Sequence, residues 1–166
     1  MPVKTTQTFR RFSDDFSFST TPGISVEAEL LNRQFRDVAE HFRNAETLHG
    51  QATRELQDVF LDSREGNWDG YDALGVVDMV FLRAQRFLKE VLPRFPSPTF
   101  SATPAGNLSF EWFVSPRRRF LVCIGEEDRV AYAGLFGSDP IHGTAIFTDD
   151  VPSEIGDHLK RLFFLK

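Results

Sequence analysis

The hydrophobic pattern of this chain changes its period once, and the change falls at a cluster of prolines. Up to Leu92, apolar residues recur every three or four positions, as they do on one side of an amphipathic helix. After Thr99 they alternate with polar residues, as they do in a strand with one buried face. Pro93, Pro96 and Pro98 lie between the two patterns, where proline ends a helix and favours extended backbone. This order of helices before strands predicts an α+β fold.

The helical half contains three amphipathic segments. The first begins at Ser25, a predicted N-cap, and continues to His49-Gly50, where the glycine is a predicted stop. The second extends from Gln51 to about Arg64, and the two form either one long helix or a helical hairpin. A third helix is predicted from about Leu74 to Leu92.

The second half predicts an antiparallel meander followed by a C-terminal helix. Gly137-Ser138-Asp139-Pro140 is predicted to break the chain before the last strand, and Pro152 to begin the helix. We therefore expect N-terminal helices, a four- to five-stranded antiparallel sheet and a final helix, with the helices packed on one face of the sheet. The predicted strands are Thr99–Thr103, Leu108–Val114, Phe120–Ile124, Arg129–Phe136 and Thr144–Thr148.

The length of 166 residues and a hydrophobic content of 41% fit one ordinary domain. Residues 1–24 are predicted to form an extended or flexible arm, and residues 25–166 a single α+β domain. Phenylalanines at irregular spacing in the arm leave three possibilities open: a short edge strand, a flexible tail, or a segment that docks on another subunit.

Charge and the absence of targeting signals set the expected compartment and partners. No apolar run is long enough to span a bilayer, and the first 21 residues lack the core of a signal peptide, so we expect a cytoplasmic protein. The net charge of −5 argues against a nucleic-acid binder, because such proteins usually carry an excess of Lys and Arg.

Asn67-Trp68-Asp69-Gly70-Tyr71 is the densest cluster of unusual residues in the chain. Turn chemistry accounts for each of them: Asn67 or Asp69 closes an Asx-turn, and Gly70 supplies a positive φ angle. Trp68 and Tyr71 would then fill the gap between helix and sheet. The alternative is a binding site, in which Asp69 between two aromatic rings contacts a ligand or transfers a proton.

This motif, with Ala73 just beyond it and an amphipathic helix that runs into Leu92-Pro93, resembles a group of small bacterial proteins. They carry an N-W-D-G-Y-G-A-type motif, followed by a proline-rich link and strands of the form Gly106–Trp112. The resemblance covers residues 64–165 and implies a bacterial or mobile-element origin and a compact α+β fold, but no activity. Asp72 stands where the group often has glycine, which puts the turn after Tyr71 in question.

Two further residues are candidates for catalysis. Glu111 lies in a strand and faces away from Phe110 and Trp112, so it is either solvated on the outer face or paired with an arginine. His142 lies on a predicted loop and has the chemistry of a general base. A glycosidase-like carboxylate pair would require the fold to bring Asp69 and Glu111 together. No metal-ligand spacing and no cofactor motif occurs, so the sequence predicts neither a metal nor a cofactor.

Arg117-Arg118-Arg119 is the longest run of basic residues. Arg117, Arg118 and Arg119 form a binding patch if other basic side chains join them; alternatively they keep a hairpin end soluble. The candidates to join them are Arg83, Arg86, Lys89 and Arg94.

These observations favour a small cytoplasmic bacterial protein that binds another protein. It would act as an immunity, antitoxin-like or accessory factor of a mobile-element or defence system. The contacts would involve the N-terminal arm, which is also a route to a homo-oligomer. The alternative is an enzyme with a pocket near the Trp68–Tyr71 loop, and the third possibility is a nucleic-acid-binding module.

Overall fold

The computed structural model describes the backbone of residues 26–164 and their side chains, except those of residues 26–28, 32 and 41–46. The chain divides into two compact units, Met1–Glu40 and His41–Lys166, and the boundary falls inside the first helix. The described part of the first unit is helical and exposes Leu30, Leu31, Phe35 and Val38. The arm predicted for residues 1–24 lies outside the described residues.

Three helices and five strands form the described fold, in the order of helices, meander and C-terminal helix that the sequence predicts. The strands pair antiparallel in the order β1-β2-β3-β4-β5, which confirms the α+β class. The elements are α1 (Val26–Ser63), α2 (Asp78–Val91), β1 (Thr99–Ala102), β2 (Leu108–Ser115), β3 (Arg118–Ile124), β4 (Arg129–Phe136), β5 (Asp139–Ile146) and α3 (Ser153–Phe163).

The two helical segments predicted before residue 64 form the single helix α1. Gly50 therefore lies inside a helix, and the prediction that it ends one is wrong. An isolated glycine costs a helix only about 1 kcal/mol relative to alanine. Burial of Ala52, Leu56 and Phe60 in the core just after it outweighs that cost.

Replacing Gly50 with alanine is expected to raise the free energy of unfolding by about 0.5–1 kcal/mol, because alanine restricts the unfolded chain and favours the helix. A methyl group at this position meets no atom within 4 Å, so the gain carries no steric cost. Urea unfolding followed by tryptophan fluorescence measures the change. Gly137→Ala is the opposite control, since φ is +75° there and alanine is strained. A loss of stability in Gly50→Ala would contradict the prediction.

One face of the sheet carries the core. Phe110, Val122 and Tyr132 lie opposite one another on neighbouring strands and so share this face. Phe87 of α2 packs edge-on against Phe110, with ring centroids 5.2 Å apart. His158 of α3 lies 5.5 Å from the ring of Phe120, so both helices pack on the same face, as predicted.

The starts of two elements differ from the prediction by four residues or more. Helix α2 begins at Asp78 rather than near Leu74, because backbone hydrogen bonds hold the preceding residues extended. The Leu74 N–H donates to the carbonyl oxygen of Pro104 at 2.9 Å, and the Val76 N–H to that of Ser63 at 2.9 Å. Strand β5 begins at Asp139 instead of Thr144.

Pro140, predicted to break the chain, lies inside β5. This strand is at one edge of the sheet, where a residue without an N–H group is tolerated. The two residues Gly137-Ser138 alone connect β4 and β5, and Phe136 pairs directly with Asp139. The turn is therefore a tight hairpin rather than a longer irregular segment.

Candidate functional site

The sequence-predicted site lies in the loop that joins α1 to α2, which we call the 64–75 loop. The Ser63–Val76 hydrogen bond closes the loop at its base. Within it, the Asn67 N–H donates to the carbonyl oxygen of Ala73 at 2.7 Å, and Asn67 Oδ1 accepts from the Asp72 N–H at 3.0 Å. The backbone of the loop is therefore held by its own hydrogen bonds.

Asp69 forms the Asx-turn that the sequence predicts. Its Oδ1 atom accepts from the Tyr71 N–H at 2.8 Å and from the Ala73 N–H at 3.2 Å. The described contacts of this carboxylate are thus with the backbone of the loop. They match the structural alternative, in which Asp69 closes an Asx-turn.

Replacing Asp69 with alanine is expected to lower the free energy of unfolding by about 1–2 kcal/mol, because two N–H groups lose their acceptor. Asp69→Asn keeps a side-chain oxygen in the same position and should lose less than half as much. Thermal unfolding of both variants measures the difference. The contrary outcome, equal stability of the alanine variant and the native chain, would show that these bonds contribute nothing.

Three residues of the loop have left-handed backbone: Gly70 with φ of 77°, as predicted, Asn67 with 63° and Asp72 with 64°. Asparagine and aspartate are the non-glycine residues that tolerate this region best. Asp72 therefore adopts the conformation that a glycine favours, so its side chain does not prevent a left-handed turn after Tyr71.

Tyr71, one of the two aromatic residues of the motif, does not fill a gap between helix and sheet as predicted. Tyr71 is 88% exposed, which makes the prediction wrong for this residue. Trp68 is half-buried, and its Nε1–H donates to the carbonyl oxygen of Leu74 at 3.2 Å, within the loop itself. The ring of Tyr71 is consequently available to a partner.

Tyr71 is the first of five large apolar side chains exposed within twelve consecutive residues. We call them the Tyr71–Leu82 surface: Tyr71, Leu74, Val77, Met79 and Leu82. Neighbouring members are at most three residues apart, a separation of about 10 Å or less even in extended chain. Met79 and Leu82 are three residues apart on α2, so they lie on the same side of that helix.

Sequence reasoning missed this surface because it predicted a helix from about Leu74 to Leu92 with Val77 on its apolar face. The signal available in the sequence was an excess of apolar residues. On one helix, Val76, Val77, Val80 and Leu82 cannot all share a single buried side.

Glu111 and His142 lie on the sheet face that α2 and α3 leave uncovered. They occupy one cross-strand row, because Glu111 pairs with Leu121, Leu121 with Ala133, and Ala133 with His142. Two strands therefore separate them, which places their backbones about 14 Å apart at the usual strand spacing. The distance is too large for them to act on one proton. His142 is in strand β5 rather than on a loop.

The arginine run does not form one cationic patch. Arg118 and Arg119 are adjacent in β3, so their side chains point to opposite faces of the sheet. The Arg118 guanidinium donates to the carbonyl oxygen of Leu162, near the end of α3. Arg117 and Arg119 are exposed.

Two of the four basic residues predicted to join that run, Arg83 and Arg86, are engaged elsewhere. Arg83 Nη1 lies 2.5 Å from Asp128 Oδ1, and its Nη2–H donates to the carbonyl oxygen of Phe147 at 3.1 Å. Arg86 forms an ion pair of 3.2 Å with Asp149. These contacts attach α2 to the sheet. Because both arginines are paired with carboxylates, less uncompensated positive charge remains to bind a nucleic acid.

His158 of α3 is a titratable residue that sequence reasoning did not single out. Its ring lies 5.4 Å from that of Tyr132 and 6.0 Å from that of Phe136, in addition to its contact with Phe120. Burial among these rings lowers the pKa of His158 below its ordinary value of 6.5, and the positive charge of Arg161 lowers the pKa further. Two nearby carboxylates act in the opposite direction but do not reverse the shift.

The free energy of unfolding is expected to fall as the pH drops below about 6.5, because the unfolded chain then binds a proton that the folded His158 resists. The loss continues until the pH passes the lower pKa of the folded state. His158→Phe, which retains the ring contacts, should flatten this part of the pH profile. His142→Gln on the uncovered face is the matched control. An unchanged slope in His158→Phe would rule out His158 as its source.

Metal and membrane sites receive no support from residues 26–164. Among the side chains that the structure describes, no group of three or more His, Cys, Asp and Glu is arranged to hold a metal ion. No helix in the same range combines the length and the apolar character needed to cross a bilayer.

Comparison with known proteins assigns no family: no family model, curated protein or solved structure matches this chain. The functional proposal therefore rests on the geometry of the 64–75 loop and the residues around it.

Proposed function

We propose that this chain acts by binding another protein and that the partner docks on the Tyr71–Leu82 surface. The observation that carries the proposal is the exposure of Tyr71, at 88%, on a loop held by its own hydrogen bonds. Tyrosine is enriched among the residues that contribute most to protein–protein binding, because its ring offers apolar area and its hydroxyl a polar contact.

The 64–75 loop is suited to this role because its conformation is formed before binding. Its path is specified by hydrogen bonds that the Asn67 and Asp69 side chains accept from backbone N–H groups, and by two left-handed non-glycine residues. A loop that is already ordered loses little entropy when a partner binds, so more of the contact energy appears as affinity. The apolar side chains that follow it, as far as Leu82, extend the area available to the partner.

The resemblance of residues 64–165 to small bacterial proteins supports a bacterial or mobile-element setting for this activity. We place the chain among immunity, antitoxin-like or accessory factors, which work by occupying a surface of another protein. An enzyme with a pocket near the Trp68–Tyr71 loop is the weaker proposal. Two strands separate Glu111 from His142, and the Asp69 carboxylate is already bonded to the backbone of the loop.

Site-specific photo-crosslinking in the native cells tests the proposed function. A benzophenone amino acid is placed at Tyr71 or Leu82, and in a matched control at Phe113, which is exposed on β2 outside the proposed surface. The expected result is one discrete crosslinked protein from positions 71 and 82 and none from position 113. Equal crosslinking from all three positions, or none at 71 and 82, would refute the proposed surface.

The N-terminal arm is proposed as an additional contact with the partner. Deleting residues 1–22 is expected to reduce the yield of the crosslink from position 71. An unchanged yield would remove the arm from the interface and leave the Tyr71–Leu82 surface as the proposed site.

A further inference from the structure

Acidic residues are concentrated in the stretch of chain that contains the Tyr71–Leu82 surface. The segment from Asp58 to Leu82 contains six acidic residues and one basic residue, Arg64, so its formal charge of −5 equals that of the whole chain. The acidic residues are Asp58, Asp62, Glu65, Asp69, Asp72 and Asp78.

Within this segment, carboxylates alternate with the exposed apolar side chains. Asp72 is exposed and lies between Tyr71 and Leu74 in the chain. Asp78, whose side chain is 73% exposed, lies between Val77 and Met79. The nearest basic group to it is Arg64, at 3.8 Å, a distance that neutralises this carboxylate only in part at an exposed site.

We infer that the partner presents apolar anchors flanked by Lys or Arg, that is, a cationic amphipathic segment of another protein. This inference rests on the proposed function and adds the chemistry of the partner. An apolar patch with an acidic rim attracts such a segment on both counts, since the rings and aliphatic chains bury together while the charges at the rim are complementary.

The same charges disfavour the other macromolecules that bind exposed apolar surfaces. A nucleic acid presents a row of phosphates, and the cytoplasmic face of a membrane carries anionic lipids; both are repelled by a segment with a charge of −5. A second copy of this chain would bring an equally acidic patch against the first. A cationic segment of another protein is not subject to this electrostatic repulsion.

Fluorescence anisotropy with three synthetic 18-residue helical peptides tests the inference. The first combines a leucine face with Lys and Arg at the polar positions. The second has the same leucine face with Glu at those positions, and the third keeps the basic residues but replaces leucine by serine. Each is titrated with the full chain at 50 mM and at 300 mM NaCl.

The expected result is that the first peptide binds at least tenfold more tightly than the other two at 50 mM salt, and that the difference shrinks at 300 mM. Asp72→Asn combined with Asp78→Asn should weaken its binding about fivefold at low salt, because two rim charges are lost. The matched control neutralises the exposed Glu154 and Asp157 of α3, a helix that lies beside the C-terminal end of α2 near Glu90 and Arg94, and should have no effect. Asparagine tolerates the left-handed backbone of residue 72, so this variant keeps the turn.

Absence of binding by the first peptide, or equal binding of the first and second, would overturn the inference. So would an equal loss in the Glu154/Asp157 variant, which would indicate a general effect of net charge. If concentration-dependent self-association blocks the peptide, the surface belongs to a second copy and the inference is wrong. The double variant Leu74→Ser, Leu82→Ser separates the two proposals. If it abolishes the crosslink from position 71, while the variant Asp72→Asn, Asp78→Asn leaves that crosslink unchanged, then the inferred partner chemistry is wrong and the proposed function stands.

Discussion

Replacing Gly75 with alanine is expected to lower the free energy of unfolding by about 3 kcal/mol, the upper end of the usual cost of overpacking. A methyl group at this position would overlap the carbonyl oxygen of Arg64 and lie 3.1 Å from the carbonyl carbon of Glu65. Both neighbours are backbone atoms, which cannot rotate away as a side chain can. Relief requires the base of the 64–75 loop to open, at the expense of the Ser63–Val76 hydrogen bond.

Urea unfolding followed by tryptophan fluorescence measures this effect, and Gly66→Ala in the same loop is the matched control. A methyl group at Gly66 would lie 3.8 Å from the carbonyl oxygen of Ala73, an ordinary contact, so the control should change stability by less than about 0.5 kcal/mol. Similar stability of the two variants would contradict the close approach of the two loop ends. A displaced loop should also weaken the binding of a partner at Tyr71, so the same variant tests the proposed function.

The largest effect is expected from Phe87→Ala, which should lower the free energy of unfolding by about 3–5 kcal/mol. Phe87 is completely buried on α2. Its ring lies 5.2 Å from that of Phe110, at an interplanar angle of 77°, and 5.4 Å from that of Phe147, at 89°. Removing it leaves a cavity between helix and sheet and also breaks two edge-to-face aromatic contacts.

Leu82→Ala on the same helix is the control for helix propensity, because Leu82 is exposed while its substitution is also to alanine. We expect it to change stability by less than about 0.5 kcal/mol. A loss below about 1.5 kcal/mol in Phe87→Ala would show that the contact between α2 and the sheet is not the centre of the core.

The order and type of the elements were predictable from the sequence because the hydrophobic period carries that information directly. Strand β4, Arg129–Phe136, has the predicted bounds. The failures occurred where a local signal competed with long-range contacts. Gly50 and Pro140 were interpreted as breaks, yet burial of the residues after Gly50 and the edge position of β5 allow both elements to continue.

Features of the candidate site were likewise predictable where they depend on near neighbours in the chain, and not where they depend on long-range contacts. The Asx-turn of Asp69 and the positive φ of Gly70 were predictable, because both depend on residues only a few positions apart. The exposure of Tyr71 was not, since whether a ring is covered depends on what packs beside the loop. The separation of Glu111 from His142 was not predicted either, because His142 was expected on a loop, whereas β5 begins at Asp139 and includes it.

The sequence by itself therefore determined the α+β class, the meander and the turn chemistry of the 64–75 loop, because each follows from hydrophobic periods and from hydrogen bonds between near neighbours. Only the tertiary structure decided which apolar side chains remain in solvent. The hydrogen bond from Leu74 to Pro104 keeps the chain extended as far as Val77 and delays the start of α2. In this extended segment, which follows Tyr71 in the chain, Leu74 and Val77 stay exposed and become part of the surface to which we assign the function.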